Sequence, residues 1–350
     1  MPRPRPASRI AAVACVALAL LVAACSTDTT DDAPSADERK QLFGEQCEDA
    51  VIPDLPDLAP VAGEPGERKV KSDFGTVELP GDPKAALGMY TTDLDILIWL
   101  RYPLAKSQPI RDFGYTTFPC FFPYDALEGI GTFVNFPEYD FEKVLQAEPD
   151  FILNGLGYDK KTVRRLPQIA PTYNVNAFDG KSWLTHFEQT AKALGREQYF
   201  QEWKTLYDER VAALKKDLGD TSGIVVSPFS YWDDSVQVHC LSNVECQVFD
   251  DLGLTIAAPA VADDGEGRAL SGEQLGQLKD VDYAFTPEGL DEDSKKAQKK
   301  TLDEIAKNAL WSDLEFVKKN QLISFEIEVS YGSPSGALAF LDVVRKALVK

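Results

Sequence analysis

At 350 residues the chain exceeds a typical single domain, and its 44% hydrophobic residues are enough to fill two cores. A formal charge of −20 argues against non-specific binding to nucleic acid and reads as a solubility feature rather than a sign of ligand charge. With only two histidines, the chain is poorly equipped for a zinc or manganese site, and no metal site is expected.

The chain opens on a targeting segment. Arg3, Arg5 and Arg9 form a basic stretch, and residues 10–24 are apolar but too short and too rich in small residues for a membrane span. The run Leu21-Val22-Ala23-Ala24-Cys25 resembles the lipobox of bacterial lipoproteins, in which cleavage precedes a cysteine that then carries the lipid. Residues 1–24 are therefore expected to be a lipoprotein signal peptide, Cys25 a lipid anchor on the outer face of the cell membrane, and residues 25–66 a tether rich in Asp, Pro and Ala. An ordinary signal peptide with an incidental cysteine is the alternative. Loss of three arginines and no acids leaves the mature part at −20 − 3 = −23. Of six cysteines, Cys15 leaves with the signal and Cys25 is lipidated. The remaining four allow three connectivities. Pairing Cys47 with Cys120 and Cys240 with Cys246 keeps each bridge within one lobe and is the expectation. A metal site at His239, Cys240 and Cys246 is the rival, but it lacks paired C-x-x-C spacing.

The first lobe is expected over residues 67–195. Residues 69–81 alternate and predict a hairpin turning at Asp73-Phe74-Gly75. A short apolar run at 85–89 precedes a helix to Leu100, capped by Thr91 or Thr92. An aromatic-rich loop is expected over 108–127, then strands near 130–133, 151–154 and 172–175. Helices are expected near 141–147, near 160–169 with a break or bend at Pro167, and from 183 to 194. Residues 196–218 follow as one long amphipathic helix, with Tyr199, Phe200, Trp203, Tyr207, Val211, Leu214 and Leu218 on one face. At ~1.5 Å per residue it is about 33 Å long, enough to serve as a strut between two halves. The second lobe, 219–350, repeats the style. Strands are expected at 224–227, 236–239, 255–258, 283–286 and 322–329, and helices near 244–252, 273–278 and 294–308. A closing helix is expected over 334–348 with Pro334 in its first turn. Such alternation implies an α/β protein of two lobes, each with a mainly parallel sheet flanked by helices.

Motifs for covalent chemistry fail on inspection, and no enzyme is expected. Gly332-Ser333-Pro334-Ser335-Gly336 carries proline where a nucleophile elbow needs serine. Gly155-Leu156-Gly157 follows a strand, but Lys160 stands where a dinucleotide fingerprint needs its last glycine. His186 and His239 read as structural or surface residues. Aromatics give a clearer signal because they gather in loops after strands, where open α/β sheets bind ligands. They are Tyr90, Phe113, Tyr115, Phe118, Phe121, Phe122, Tyr124, Phe136 and Tyr158 in the first half, and Phe229, Tyr231, Trp232 and Tyr331 in the second. Packing over the core is the competing use for about half of them.

Several stretches recur in order from about residue 70 to the end: 75–84 (GTVELPGDPK), 87–95 (LGMYTTDLD), 139–144, 149–152, 166–171 (LPQIAP), 194–196, 252–254, 270–275 (LSGEQL) and 331–338. Together they resemble the class III substrate-binding proteins of ABC importers, the siderophore-, haem- and cobalamin-binding group. The resemblance implies two lobes on one rigid helix, small opening motions, and a ligand in the interlobe cleft. It also implies two lobe-surface glutamates that dock on permease arginines; by motif these are Glu142 and Glu273. Arg111 and Arg268 are the cleft arginines, and Tyr158 stands where siderophore binders of the group often place a ligand-contacting tyrosine. Tyr90 with Thr91, Tyr115, Phe136, Phe229, Tyr231, Trp232 and Tyr331 complete the expected ligand set. Ala85-Ala86 and the aromatic, cysteine-bearing loop depart from the group's pattern. So few cleft arginines favour a neutral or modestly charged ferric siderophore over an anionic catecholate.

The expectation is thus a monomeric, lipid-anchored binding protein that hands a ferric siderophore to an ABC permease. It needs no cofactor, and iron enters only within the ligand. Haem or cobalamin on the same fold, a secreted lipoprotein hydrolase, and a surface interaction protein are the alternatives.

Overall fold

A computed structural model of the chain describes residues 43–44, 47, 50, 52–111, 115–232, 235–240, 244–263 and 267–349. The signal segment, Cys25, most of the tether up to residue 51, and Phe113 lie outside the described residues. Residues 36–350 belong to one unit, within which two lobes can be followed.

The first lobe begins with the predicted hairpin, β1 (Glu67–Ser72) and β2 (Gly75–Pro80), paired antiparallel from Glu67–Pro80 to Ser72–Gly75. Its main sheet is parallel and runs β3 (Ala86–Gly88), β6 (Phe151–Asn154), β7 (Thr172–Asn174). All four residues of β6 are buried, as befits a parallel strand covered on both faces. Beside β3 lies a second parallel pair, β4 (Ser107–Ile110) and β5 (Gly131–Val134). The Gln108 side chain fastens the two sheets by acting as a peptide group: its Oε1 accepts from Gly88 N at 3.1 Å and its Nε2 donates to Ala86 O at 2.8 Å. Neither β4 nor the short helix α2 (Tyr124–Leu127) was expected in what reads as an irregular loop. Pro109 and a polar Gln108 hide the apolar periodicity on which such a reading depends.

Helix α1 (Thr91–Trp99) corrects another expectation. Its N-cap is Tyr90, with no side-chain cap, and Thr91 and Thr92 are already helical. Their hydroxyls serve longer-range bonds described below. Helices α3 (Phe141–Gln146) and α4 (Lys160–Arg165) start at aspartate caps, Asp140 and Asp159, whose carboxylates accept backbone N–H groups. After α4 the chain tightens into a 3₁₀ turn at Leu166–Gln168, where Pro167 cannot extend an α-helix. Helix α5 (Trp183–Ala193) leads into α6 (Glu197–Leu218), the 22-residue connecting helix.

The second lobe is built on the parallel order β11 (Thr255–Ile256), β8 (Val225–Pro228), β13 (Tyr283–Glu288), β14 (Leu322–Glu326). A small antiparallel sheet, β12 (Arg268–Leu270), β10 (Ser235–Val238), β9 (Ser230–Trp232), stands next to it. Helix α7 (Val244–Leu252) follows β10, and α8 (Glu292–Ile305) follows β13. The strand expected over 322–329 stops at Glu326, and the chain turns at once into α10 (Ile327–Ser330), preceded in sequence by α9 (Glu315–Lys318). The closing helix α11 (Pro334–Leu348) is capped by Ser333 with Pro334 in the first turn.

One hydrophobic core runs through both lobes, from Leu94 and Leu97 in α1 through Trp203 and Tyr207 in α6 to Phe249, Phe285 and Phe340. Trp203 stacks on Tyr207 at 5.1 Å, and Phe340 meets Phe249, Phe285 and Phe325 at 5.0–5.6 Å. Cys47 is bonded to Cys120, and Cys240 to Cys246. The second bond takes both cysteines from the alternative metal set, of which His239 alone remains.

Candidate functional site

Two cavities occupy the cleft between the lobes and share Tyr90, Phe178 and Tyr331 as lining. The larger, about 490 Å³, takes Trp183 and His186 from α5. Its second-lobe wall includes Phe229, Gln237, His239 and Glu245. The smaller, about 130 Å³, is lined mainly by the first lobe, around Arg111, Asn135, Phe136, Tyr139 and Tyr158.

The first-lobe wall is aromatic. Phe178 meets Tyr90 at 5.8 Å and the ring of Tyr158 edge-on at 5.3 Å. The hydroxyls of Tyr139 and Tyr158 lie 3.3 Å apart. Gly155 permits this packing, because a Cβ there would meet the Tyr90 ring and Asp93 Oδ1. The glycines that fail as a nucleotide motif thus serve close approach. Gly332 does the same across the lobes: with φ of 74°, its missing side chain would run into the Trp183 ring.

Arg111 is a buried cation at the meeting of the walls. Its guanidinium lies 3.6 Å from the Tyr331 ring centroid and 5.4 Å from that of Tyr90. Its Nε is 3.7 Å from Glu328 Oε1, and an Nη donates to Thr91 Oγ1 at 3.3 Å. Thr91 Oγ1 in turn donates to Glu328 Oε2. The acid comes from α10 and the arginine from the first lobe, so this pair crosses between lobes. Burial pushes the Glu328 carboxyl up, and Arg111 and Thr91 oppose that shift. An arginine flanked by aromatic faces can still present N–H donors at its edge to oxygen acceptors.

Below the cleft the lobes are locked together. Asp95 in α1 accepts from Ser335 N and Ser335 Oγ, both at 2.7 Å. Trp99 Nε1 donates to the same Ser335 Oγ at 2.8 Å, and Thr92 Oγ1 donates to Gly332 O at 2.9 Å. Trp203 Nε1 in α6 donates to Pro334 O at 3.0 Å. Glu326 accepts from Tyr115 OH at 2.9 Å and from Cys120 N at 3.0 Å. Burial lifts Asp95 to about 6 and Glu326 to about 8 against these bonds.

The structure brings only part of the expected ligand set to the cleft. Tyr90, Arg111, Phe136, Tyr158, Phe229 and Tyr331 line the two cavities. Thr91 sits behind the wall, between Arg111 and Glu328. Tyr115 lies in the core with its hydroxyl on Glu326, as do Phe118, Phe121 and Phe122, so the aromatic loop is a core element. Tyr231 and Trp232 belong to β9 and line neither cavity; Trp232 is 71% exposed. Arg268 is on β12, exposed and paired with Asp263 at 3.3 Å, away from both linings. Phe178, Trp183, Gln237 and Glu245 line the larger cavity without having been expected there, and so do both histidines. A helix-start tryptophan and a first-turn glutamate carry no local sign of a ligand; only tertiary placement gives them one. Glu142 and Glu273 are exposed in the first turns of α3 and of the 3₁₀ helix Gly272–Leu278, one on each lobe. Among the described residues no group of three or more His, Cys, Asp or Glu is placed to hold a metal ion, and no helix is long and apolar enough to cross a membrane.

Residues 132–326, more than half of the chain, match the family described as Periplasmic binding protein. The Fe(3+)-citrate-binding protein YfmC of Bacillus subtilis is 28% identical over 222 residues, 61% of this chain. The chain spans 66% of that relative's length. The Probable siderophore-binding lipoprotein YfiY of the same organism is 22% identical over 265 residues, 72% of this chain and 78% of that protein. Among solved structures, Staphylococcus aureus SirA complexed with staphyloferrin B matches with a TM-score of 0.63 at 22% identity, covering 80% of this chain and 98% of that one. At that identity the likeness is one of fold.

Proposed function

The chain belongs to the periplasmic binding protein family, and we propose that it captures a ferric siderophore in the interlobe cleft and delivers it to an ABC importer. One observation carries the reading: aromatic side chains from both lobes surround a buried arginine at the meeting of two cavities. A ferric siderophore brings its own iron ligands, so the protein needs no metal-binding set. It supplies ring faces for the apolar body of the complex, and Arg111 for the oxygen donors around the iron. The names of two relatives, one for Fe(3+)-citrate and one for a siderophore, support the same class.

The cross-lobe bonds of Asp95, Thr92 and Trp99 favour a cleft that is largely preformed, with small lobe shifts on binding. Exposed Glu142 and Glu273 suit docking on a basic permease surface, acting on orientation and on-rate. Lipid attachment at Cys25, removal of residues 1–24, the lobe limits 67–195 and 219–350 about the connecting helix, and a monomeric state complete the proposal.

Trp183 lines the larger cavity and makes tryptophan fluorescence the direct assay. Titration with a ferric hydroxamate, a ferric catecholate, ferric citrate, haem and cobalamin should give saturable quenching with at least one of the first three. Quenching by haem with a Soret band, or by cobalamin, would replace the siderophore; quenching by none would refute small-molecule capture of this kind. Uptake unchanged in a Glu142→Ala, Glu273→Ala double variant that still binds ligand would refute the docking role.

A further inference from the structure

Two polar side-chain atoms of the larger cavity's lining residues have no hydrogen-bond partner among the described residues: Trp183 Nε1 and Glu245 Oε2. Both residues are buried, at 4% and 2% exposure. A buried donor and a buried carboxyl oxygen left unpaired are costly in a folded protein. An occupant that pairs both recovers that cost. Among the described residues the lining of this cavity contains no lysine or arginine, and Arg111 in the smaller cavity is already matched by Glu328. Glu245 is in the first turn of α7, where a helix terminus favours the anion. Desolvation outweighs that field and pushes its carboxyl up to about 8. The other described titratable groups lining the cavity offer it no strong cation. His186 is engaged with Asp179 at 3.1 Å, His239 with Gln237 at 2.8 Å, and the rest are the phenols Tyr90 and Tyr331.

We infer that Glu245 is a specificity-determining residue that receives a protonated amine of the bound ferric siderophore, while Trp183 Nε1–H donates to an oxygen of the same ligand. The inference rests on the ferric-siderophore reading above and narrows it. An ammonium brings three donors and the missing positive charge, and its hydrogen bonds to a carboxylate are about twice as strong as neutral ones. A ligand with additional free carboxylates would instead confront Glu245 with like charge. Binding of the ammonium ionises Glu245, so one proton leaves the complex as the ion pair forms.

The test uses the secreted protein and two probes: a linear ferric trihydroxamate ending in a free amine, and the same compound N-acetylated. The ammonium compound should bind about tenfold tighter or more. In Glu245→Gln the ratio of the two affinities should fall to about one, with the melting temperature reporting that the variant is folded. Calorimetry of the wild type at pH 7, in buffers of different ionisation enthalpy, should show about one proton released with the ammonium compound and none with the acetylated one. This measurement decides the matter if the variant does not fold. Equal affinities in the wild type, a ratio that survives Glu245→Gln, or binding of neither probe overturns the inference. Binding of both with a ratio of one does so while leaving siderophore capture intact.

Discussion

The seam beneath the cleft and the cleft itself treat buried polar groups in opposite ways. In the seam, α1 and the start of α11 bring Asp95, Trp99, Thr92 and Ser335 together with each named polar atom paired. In and beside the cleft, Trp183 Nε1, Glu245 Oε2 and Glu328 Oε1 lack a hydrogen bond among the described residues. Buried polarity that is fully satisfied locks two lobes in place. Buried polarity left incomplete stores binding energy for whatever completes it. The molecule completes its polar pairing where the lobes meet and leaves it unfinished in the cleft.

The largest expected effect comes from breaking the seam. Asp95→Ala removes the acceptor of two hydrogen bonds and leaves Ser335 N–H buried and unpaired. It should lower unfolding free energy by about 3 kcal/mol in urea titration, with Asp95→Asn milder. A loss under about 1 kcal/mol would mean that the seam is not what joins the lobes. Next is Arg111→Ala, which takes the charge from the cleft and leaves Glu328 without its counter-ion. Affinity for the cognate ferric ligand should fall about 10–100-fold; an unchanged affinity would make Arg111 a purely structural partner of Glu328.

The two regions also share a pH signature. Burial raises Asp95 to about 6, and Glu326 and Glu245 to about 8, above their unfolded values of 3.8 and 4.5. A raised carboxyl binds more protons in the folded state, so its contribution is complete below the unfolded pKa and is lost as pH rises through the folded one. Between pH 5 and 8 stability should therefore fall, and Glu326→Gln should flatten the slope of melting temperature against pH. A melting temperature that rises across this window would contradict the assignment. Smaller still is Tyr158→Phe, which loses the 3.3 Å contact with Tyr139 but keeps the ring against Phe178. It should weaken binding by about threefold at most. Trp232→Ala should change neither binding nor stability measurably, since that ring is 71% exposed and lines neither cavity.

Much of the fold is legible in the amino-acid order alone. Periodicity and punctuation mark the hairpin, the connecting helix, the fully buried β6 and the closing helix, because each of these satisfies its pattern locally. Residues whose elements depend on distant partners are not so marked. β4 exists because Gln108 stands in for a strand backbone beside β3, and Thr91 and Thr92 are not caps because their hydroxyls are drawn to the other lobe.

By itself, the sequence determined an α/β protein of two halves about one long helix, without catalytic motifs and with aromatic residues in excess after strands. Those properties follow from side-chain period, turn chemistry and composition, which act over a few residues. Only the tertiary structure decided which aromatics line the cleft. Tyr115, Phe118, Phe121 and Phe122 went to the core while Phe178 and Trp183 came to the cleft. It likewise placed Glu245, one acid among 56 Asp and Glu residues in the chain, in the wall of the larger cavity. Burial and the lack of a partner are properties of an environment assembled from segments far apart in the chain, and no local pattern encodes them.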